Sequence, residues 1–414
     1  MNFDIFLSIC QTEVDGYLPS EKIMFQNFFD QVELADQLGF DTAWVAETHL
    51  SCQVQKENPE AVIPHFKGEI GLNTDILQLA QQVFHRTKNI NIGSAIKNIL
   101  CNGGPLAHAE AIKTFLSLHG MNPQEKRFLN IGFASGRFEF SNRPYGIAPR
   151  NQTERVAWKV IKGKILFEAT EIFLRALRGD HFSSSDIAPK FISEKDFRTI
   201  EEWEITVKTY AKETSLTADE AANLKKIEIP PFWNFDKVGV IPFEAPLELL
   251  KLTVGSHDPG IQELANQYFP VDVFNLSITP PEVIEQTHER MKKIYHKEGG
   301  VWQRENMPRT AMIFLSDEPG LSAEENNLKA QAMAKNAWEN YWTAMEGTID
   351  DKKVEQAVEN TLAGNPDKLA QLLNEKYHPQ DRLMLWFDFN THDNEYIKSA
   401  MKIFVEKVAP QCKK

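Results

Sequence analysis

Phe3-Asp-Ile-Phe-Leu-Ser8, then Ser20 to Leu38, then Thr42-Ala-Trp-Val-Ala46, make up one structural unit. The first stretch is a short apolar run of the kind a buried strand needs. In the second, Phe25, Phe28, Phe29, Val32, Leu34, Ala35 and Leu38 recur near a 3.6-residue period, which predicts an amphipathic helix. Gly39 follows it as a C-cap, and the third stretch is again strand-like.

The same rhythm continues outward. Helices are predicted over 77–84, 105–118, 154–177, 259–268, 280–295, 322–345, 365–377 and 394–408. Strands are predicted over 89–95, 127–133, 249–254, 271–276, 310–315 and 383–387. With the first two, that makes eight strands alternating with helices, the count of a (β/α)8 TIM barrel. An open doubly wound sheet would carry a GxGxxG turn after its first strand, and Ile5 to Tyr17 has none. The expected fold is therefore α/β, one (β/α)8 TIM barrel domain across residues 1–414.

One segment breaks the rhythm. Residues 179–246 hold a charged helical section, Glu194 to Glu213, and a capping box, Thr217-Ala-Asp-Glu220, but no clear strand-helix unit. Because the segment precedes the fifth strand, it is placed in a βα connection at the C-terminal mouth of the barrel, where active sites lie. A lid-like insertion is expected there, with a surface decoration as the alternative.

Composition narrows the function. The chain has 414 residues, 42% hydrophobic and 25% charged, which excludes collagen-like and mainly disordered classes. Against 45 Lys and Arg stand 58 Asp and Glu, a net charge of −13 that repels phosphate backbones and anionic lipid, so no nucleic acid and no membrane partner is expected. No apolar run reaches the length of a membrane span, and the start lacks a basic, apolar leader, so a soluble cytoplasmic protein is expected. Cys10, Cys52, Cys101 and Cys412 form no CxxC pair and read as reduced thiols.

In a barrel the residues that carry chemistry follow the strands. Strand two ends in Glu47-Thr48-His49, strand three in Ser94-Ala95-Ile96-Lys97-Asn98, strand four in Ser135-Gly136 and strand five in Gly255-Ser256. Ser135, Gly136, Gly255, Ser256 and the start of the helix near Pro259 offer hydroxyl and N–H donors to an anion, and Arg155 offers a guanidinium. Glu47 and His49 share a face, but no further His or Cys at metal-ligand spacing joins them, so no metal is expected. No GxSxG, P-loop or kinase signature is present.

These strand ends resemble the bacterial luciferase-like family. The residues that carry the resemblance are Gly39 to His49, Ile92-Gly-Ser-Ala95, Pro105 to Glu110, Asn130 to Gly136, Tyr145-Gly146 with Arg155 downstream, Gly364 to Leu369 and Met401 to Pro410. It covers the chain outside 179–246. It implies a flavin-dependent monooxygenase that uses reduced FMN and O2 to oxidise a small organic substrate, with a flavin reductase supplying FMNH2. Ser135, Arg155 and Ser256 would hold the phosphate, and Ala95-Ile96 occupies the family's place for a non-prolyl cis peptide under the flavin ring. A homodimer through 78–84 and 105–118 is expected.

The chain also departs from the pattern. Thr48 stands where luciferases carry a catalytic histidine, Ala134 where they carry a reactive cysteine, and Ser141 where an acidic partner is expected, with Glu139 the nearest carboxylate. His49 is the candidate substitute base, with Glu47 and Thr48 beside it. Phe133, Phe138, Phe140, Trp233, Phe235, Trp386 and Phe389 are candidate pocket aromatics. Two rival readings stay open: a deazaflavin-dependent hydride-transfer oxidoreductase, and a non-catalytic flavin-binding subunit-like protein.

Overall fold

A computed structural model describes residues 1–58, 63–136 and 138–413. Its strands are β1 (Asn2–Leu7), β2 (Thr42–Val45), β3 (Asn91–Asn98), β4 (Leu129–Ala134), β5 (Lys190–Ile192), β6 (Ile227–Ile229), β7 (Leu250–Val254), β8 (Val271–Val273), β9 (Arg309–Leu315), β10 (Leu362–Gly364) and β11 (Arg382–Trp386). All except β5 and β6 form one parallel sheet in the order β10-β9-β11-β1-β2-β3-β4-β7-β8. The sheet curls: Asn275, just beyond β8, bridges in parallel to Arg309 at the start of β9. The Asn275 N–H donates to Pro308 O at 2.8 Å, and the Thr310 N–H donates to Asn275 O at 3.1 Å.

Local chemistry explains the first unit. The Ser20 side chain accepts from the Ile23 N–H and caps the Glu21–Leu38 helix, which ends where Gly39 takes φ 83°. In β1, Ile5 and Leu7 belong to the main core, while Phe6 faces the inside of the curl with Trp44, Phe274 and Met384. Each such buried side chain contributes about 1.5–3 kcal/mol. Below them the buried Asp4 accepts from Trp44 Nε1 at 2.8 Å and from Arg382 at 3.0 Å. Every predicted strand is present with bounds within three residues; β10 and the Asp351–Asn360 helix were not anticipated.

The placement of the 179–246 insertion is corrected. It follows the Trp158–Arg178 helix, not a strand, so it is an αβ connection. It carries the antiparallel β5-β6 pair, the Ile200–Thr214 helix and the expected capping box at Thr217. It is pinned both along the helices and to the connection after β4, where Glu213 accepts from the Gln152 and Thr153 N–H groups at 2.7 and 2.9 Å. Glu168 accepts from the Phe232 and Trp233 N–H groups at 2.9 and 3.0 Å, Arg150 donates to the Pro230 and Pro231 carbonyls at 2.7 Å, and the buried Lys113 donates to Val240 O at 2.7 Å.

A different element crosses the strand ends. The Ala323–Glu346 helix reaches the loop after β1, where Asp15 accepts from Asn336 at 2.9 Å and from Asn340 at 3.2 Å. Its last turn packs Ala344 and Met345 against Cys10, Phe66 and Phe138, which follow β1, β2 and β4. Among the described residues, no helix is long and apolar enough to cross a membrane.

Candidate active site

β2 and β3 end side by side, and their last residues meet in one buried cluster. The Glu47 carboxylate, fully enclosed, accepts from Ser94 Oγ at 2.7 Å, from Lys97 Nζ at 2.8 Å and from His49 Nε2 at 3.0 Å. Burial alone pushes a carboxyl up, but the Lys97 charge and the three hydrogen bonds outweigh it and hold Glu47 down at about 2. Glu47 is therefore an anion at every physiological pH. Thr48, the third residue of the expected set, does not join this cluster. Its N–H donates to Asn73 O at 3.1 Å, and its methyl lies where a Cβ on Gly71 would be 2.6 Å away.

Between Ser94 and Lys97 the register of β3 against β4 shifts, and the Ala95–Ile96 peptide bond is cis, at the position the resemblance marked. The Ile96 side chain fills a slot between strands β4 and β7. A Cβ on Gly255 would lie 2.3 Å from Ile96 Cδ1, and one on Gly132 would lie 2.4 Å from Ser94 O. Ile96 also closes an apolar floor with Phe6, Trp44, Phe274, Met384 and Trp386. Of the candidate aromatics, Trp386 is at this floor. Phe133 instead packs outward on Phe173, Phe235 on Phe182 in the insertion, and Phe138 lies under the crossing helix.

Next to the slot, side chains tie β3 to the loop after β4. Asn98 donates to Asn142 Oδ1 at 2.7 Å and to Ser141 Oγ at 3.3 Å, and Asn142 donates to Ser135 O at 3.1 Å. Gly136 has φ 73° and sits so close that a Cβ would be 2.3 Å from Asn98 Nδ2. Ser141, the residue at the acidic partner's place, thus belongs to this network. Glu139 turns away, accepting from Trp158 Nε1 at 3.2 Å.

The expected anion donors fare unequally. The Gly255 N–H donates to Phe133 O at 2.9 Å, so Gly255 serves by lacking a side chain and not as a free donor. The helix Pro259–Asn266 is already capped by Asp258, which accepts from the Gly260 N–H at 2.8 Å, so a carboxylate occupies that N-terminus. Ser256 Oγ accepts from the Asp258 N–H at 3.2 Å and keeps its own proton to donate. Arg155 is exposed on the short Gln152–Val156 helix with no ion pair among the described residues. Ser94, Lys97 and Asn98 were quoted at the strand end but given no role. The signal available was the single charged residue in the Asn91–Asn98 stretch, since lysine is almost never fully buried unless paired. Among the described residues, no group of three or more His, Cys, Asp or Glu side chains could hold a metal ion.

The architecture is a curled parallel sheet with a buried polar cluster at its strand ends. Residues 1–120 match the luciferase-like monooxygenase family model, which supports the recognition made from the sequence. No curated protein matches the chain by sequence. Among solved structures, the monooxygenase RslO1 of Streptomyces bottropensis is 14% identical with a TM-score of 0.65, the match covering 99% of each chain. The oxygenating constituent of 3,6-diketocamphane monooxygenase from the CAM plasmid of Pseudomonas putida, a type II Baeyer-Villiger monooxygenase in complex with FMN, is 14% identical at a TM-score of 0.57, covering 100% of this chain and 99% of that one. An F420-dependent secondary alcohol dehydrogenase in complex with an F420-acetone adduct is 13% identical at a TM-score of 0.51, again covering 100% and 99%. At these identities the likeness speaks to the fold.

Proposed function

We propose that the chain is a flavin-dependent monooxygenase on a (β/α)8 barrel, using reduced FMN and O2 to oxidise a small organic substrate. The observation that carries this is the Glu47 anion ringed by Ser94, Lys97 and His49 directly beside Ile96 and the apolar floor. A flavin fits these residues chemically: its flat ring has an apolar dimethylbenzene half and a polar pyrimidine half, its tail is anionic, and the strand ends offer an apolar shelf with polar side chains beside it and hydroxyl and guanidinium donors nearby. When bound and reduced, FMN supplies two electrons and reactivity towards O2. The chain's own part is to bind and orient. Ala95 and Ile96 bear the ring; Ser135, Gly136, Ser256 and Arg155 hold the phosphate; His49 takes up a proton beside the ring. The floor aromatics and the Ala323–Glu346 helix keep water out.

A flavin reductase as partner, a homodimer and a cytoplasmic location belong to the same proposal. The second reading, a deazaflavin-dependent hydride-transfer oxidoreductase, is favoured by the fold shared with the F420-dependent dehydrogenase. A non-catalytic flavin-binding subunit is the third. An anaerobic fluorescence titration with FMN, FMNH2 and F420 tests these together. Saturable binding of FMNH2, weakened at least tenfold in Arg155→Ala, supports the monooxygenase. F420 binding alone would move the assignment to hydride transfer, and binding of none would overturn it.

A further inference from the structure

His49 and Lys97 both reach the same oxygen of one buried carboxylate, and only one positive charge is needed to balance it. Lys97 Nζ lies 2.8 Å and His49 Nε2 3.0 Å from Glu47 Oε1, while Ser94 Oγ takes Glu47 Oε2 at 2.7 Å. The three side chains Lys97, His49 and Glu47 are 3%, 6% and 0% exposed, so water does not share the balance. Two further titratable groups stand near. The His108 ring is kept neutral, pushed down to about 4 by burial, and its Nε2 lies 3.0 Å from Cys101 O; the Cys101 thiol is pushed up to about 12 by burial. Neither brings a charge.

We infer that Lys97 is a positioning residue: it serves as the counter-cation of Glu47, so that His49 stays neutral, with its hydrogen on Nε2 pointing at Glu47 and its Nδ1 lone pair free to accept a proton. The reasoning is elementary. An ionised carboxylate only accepts hydrogen bonds, so the histidine nitrogen facing it must carry hydrogen. Whether the second nitrogen is protonated depends on who neutralises the carboxylate. With an ammonium in place, the pair is already neutral, and a second buried cation would be uncompensated. Without it, the imidazole becomes the counter-ion, takes its second proton and can no longer act as a base. No described residue hydrogen-bonds Nδ1, so no protein group fixes a hydrogen there. Arginine at position 97 would supply the same charge, and methionine or glutamine would not.

This inference rests on the proposed role of His49 as the proton acceptor. The test is 15N NMR of the full chain labelled at histidine, at neutral pH, with the His49 signals identified among 11 histidines by their loss in His49→Gln. In the natural chain, Nε2 is expected at a protonated, pyrrole-type shift and Nδ1 at an unprotonated, pyridine-type shift. Lys97→Arg keeps that pattern; Lys97→Met, with Lys97→Gln as the second neutral variant, moves both nitrogens to imidazolium-type shifts. An imidazolium or an Nδ1–H ring in the natural chain, or neutral variants that leave the pattern unchanged, would overturn the inference. An FMN titration of the same samples separates the two claims: absent binding sinks the flavin reading, whereas the nitrogen shifts decide the role of Lys97 either way.

Discussion

The Lys97 ammonium lies 2.8 Å from the Glu47 carboxylate, and both side chains are sealed from water at 3% and 0% exposure. A buried pair of this kind adds little net stability, yet removing its carboxylate strands the ammonium in a medium that cannot solvate it. Glu47→Gln should therefore cost about 3–5 kcal/mol of folding stability, read by chemical denaturation. A loss under about 1 kcal/mol would show that the pair is open to water.

The same pair sets an acid limb. The Glu47 carboxyl is held at about 2, below its ordinary 4.5. A depressed carboxyl contributes stability that is complete above the unfolded value and is lost as pH falls towards the folded one. Melting temperature should fall between about pH 4.5 and pH 2, the Glu47→Gln curve should show that segment flattened, and the difference curve should slope there. A difference curve without slope there would contradict the assignment.

Ile96 is held by two glycines. Gly255→Ala places a methyl 2.3 Å from Ile96 Cδ1. The expected cost is about 1–3 kcal/mol from overpacking, together with at least tenfold weaker FMN binding, because the shelf under the ring moves. Thermal melts and titration check the two effects separately.

The insertion and the Ala323–Glu346 helix make opposite predictions. Glu168→Ala leaves the Phe232 and Trp233 N–H groups without their acceptor and should destabilise by about 1–3 kcal/mol, while FMN affinity stays within twofold. Asp15→Ala should barely change stability, by about 0.5 kcal/mol. It should nevertheless speed amide hydrogen exchange in 336–346, whose Asn336 and Asn340 it releases. Faster exchange confined to the insertion instead would reverse this division.

Much of the fold was readable in residues that act locally. Ser20 and Gly39 cap a helix with chemistry contained within a few positions, and the apolar runs at Thr42 and Thr310 need only their own composition to read as strands. β10 escaped because three residues of Leu-Ala-Gly carry no period. The insertion was misplaced because counting strands does not say whether a segment follows a strand or its helix. That the Ala323–Glu346 helix crosses the mouth depends on Asp15, more than 300 positions away from Asn336 and Asn340. Glu47 and His49 were legible as neighbours on a strand end. Lys97 was not, because its partner comes from the adjacent strand through the β2-β3 register, which sequence spacing does not contain.

The most direct test of the account is a crystal structure of the protein with FMN. The account predicts the flavin ring against Ala95 and Ile96, within reach of His49, and the phosphate among Ser135, Arg155 and Ser256. Flavin density elsewhere, or none at a concentration that saturates binding in solution, would contradict it.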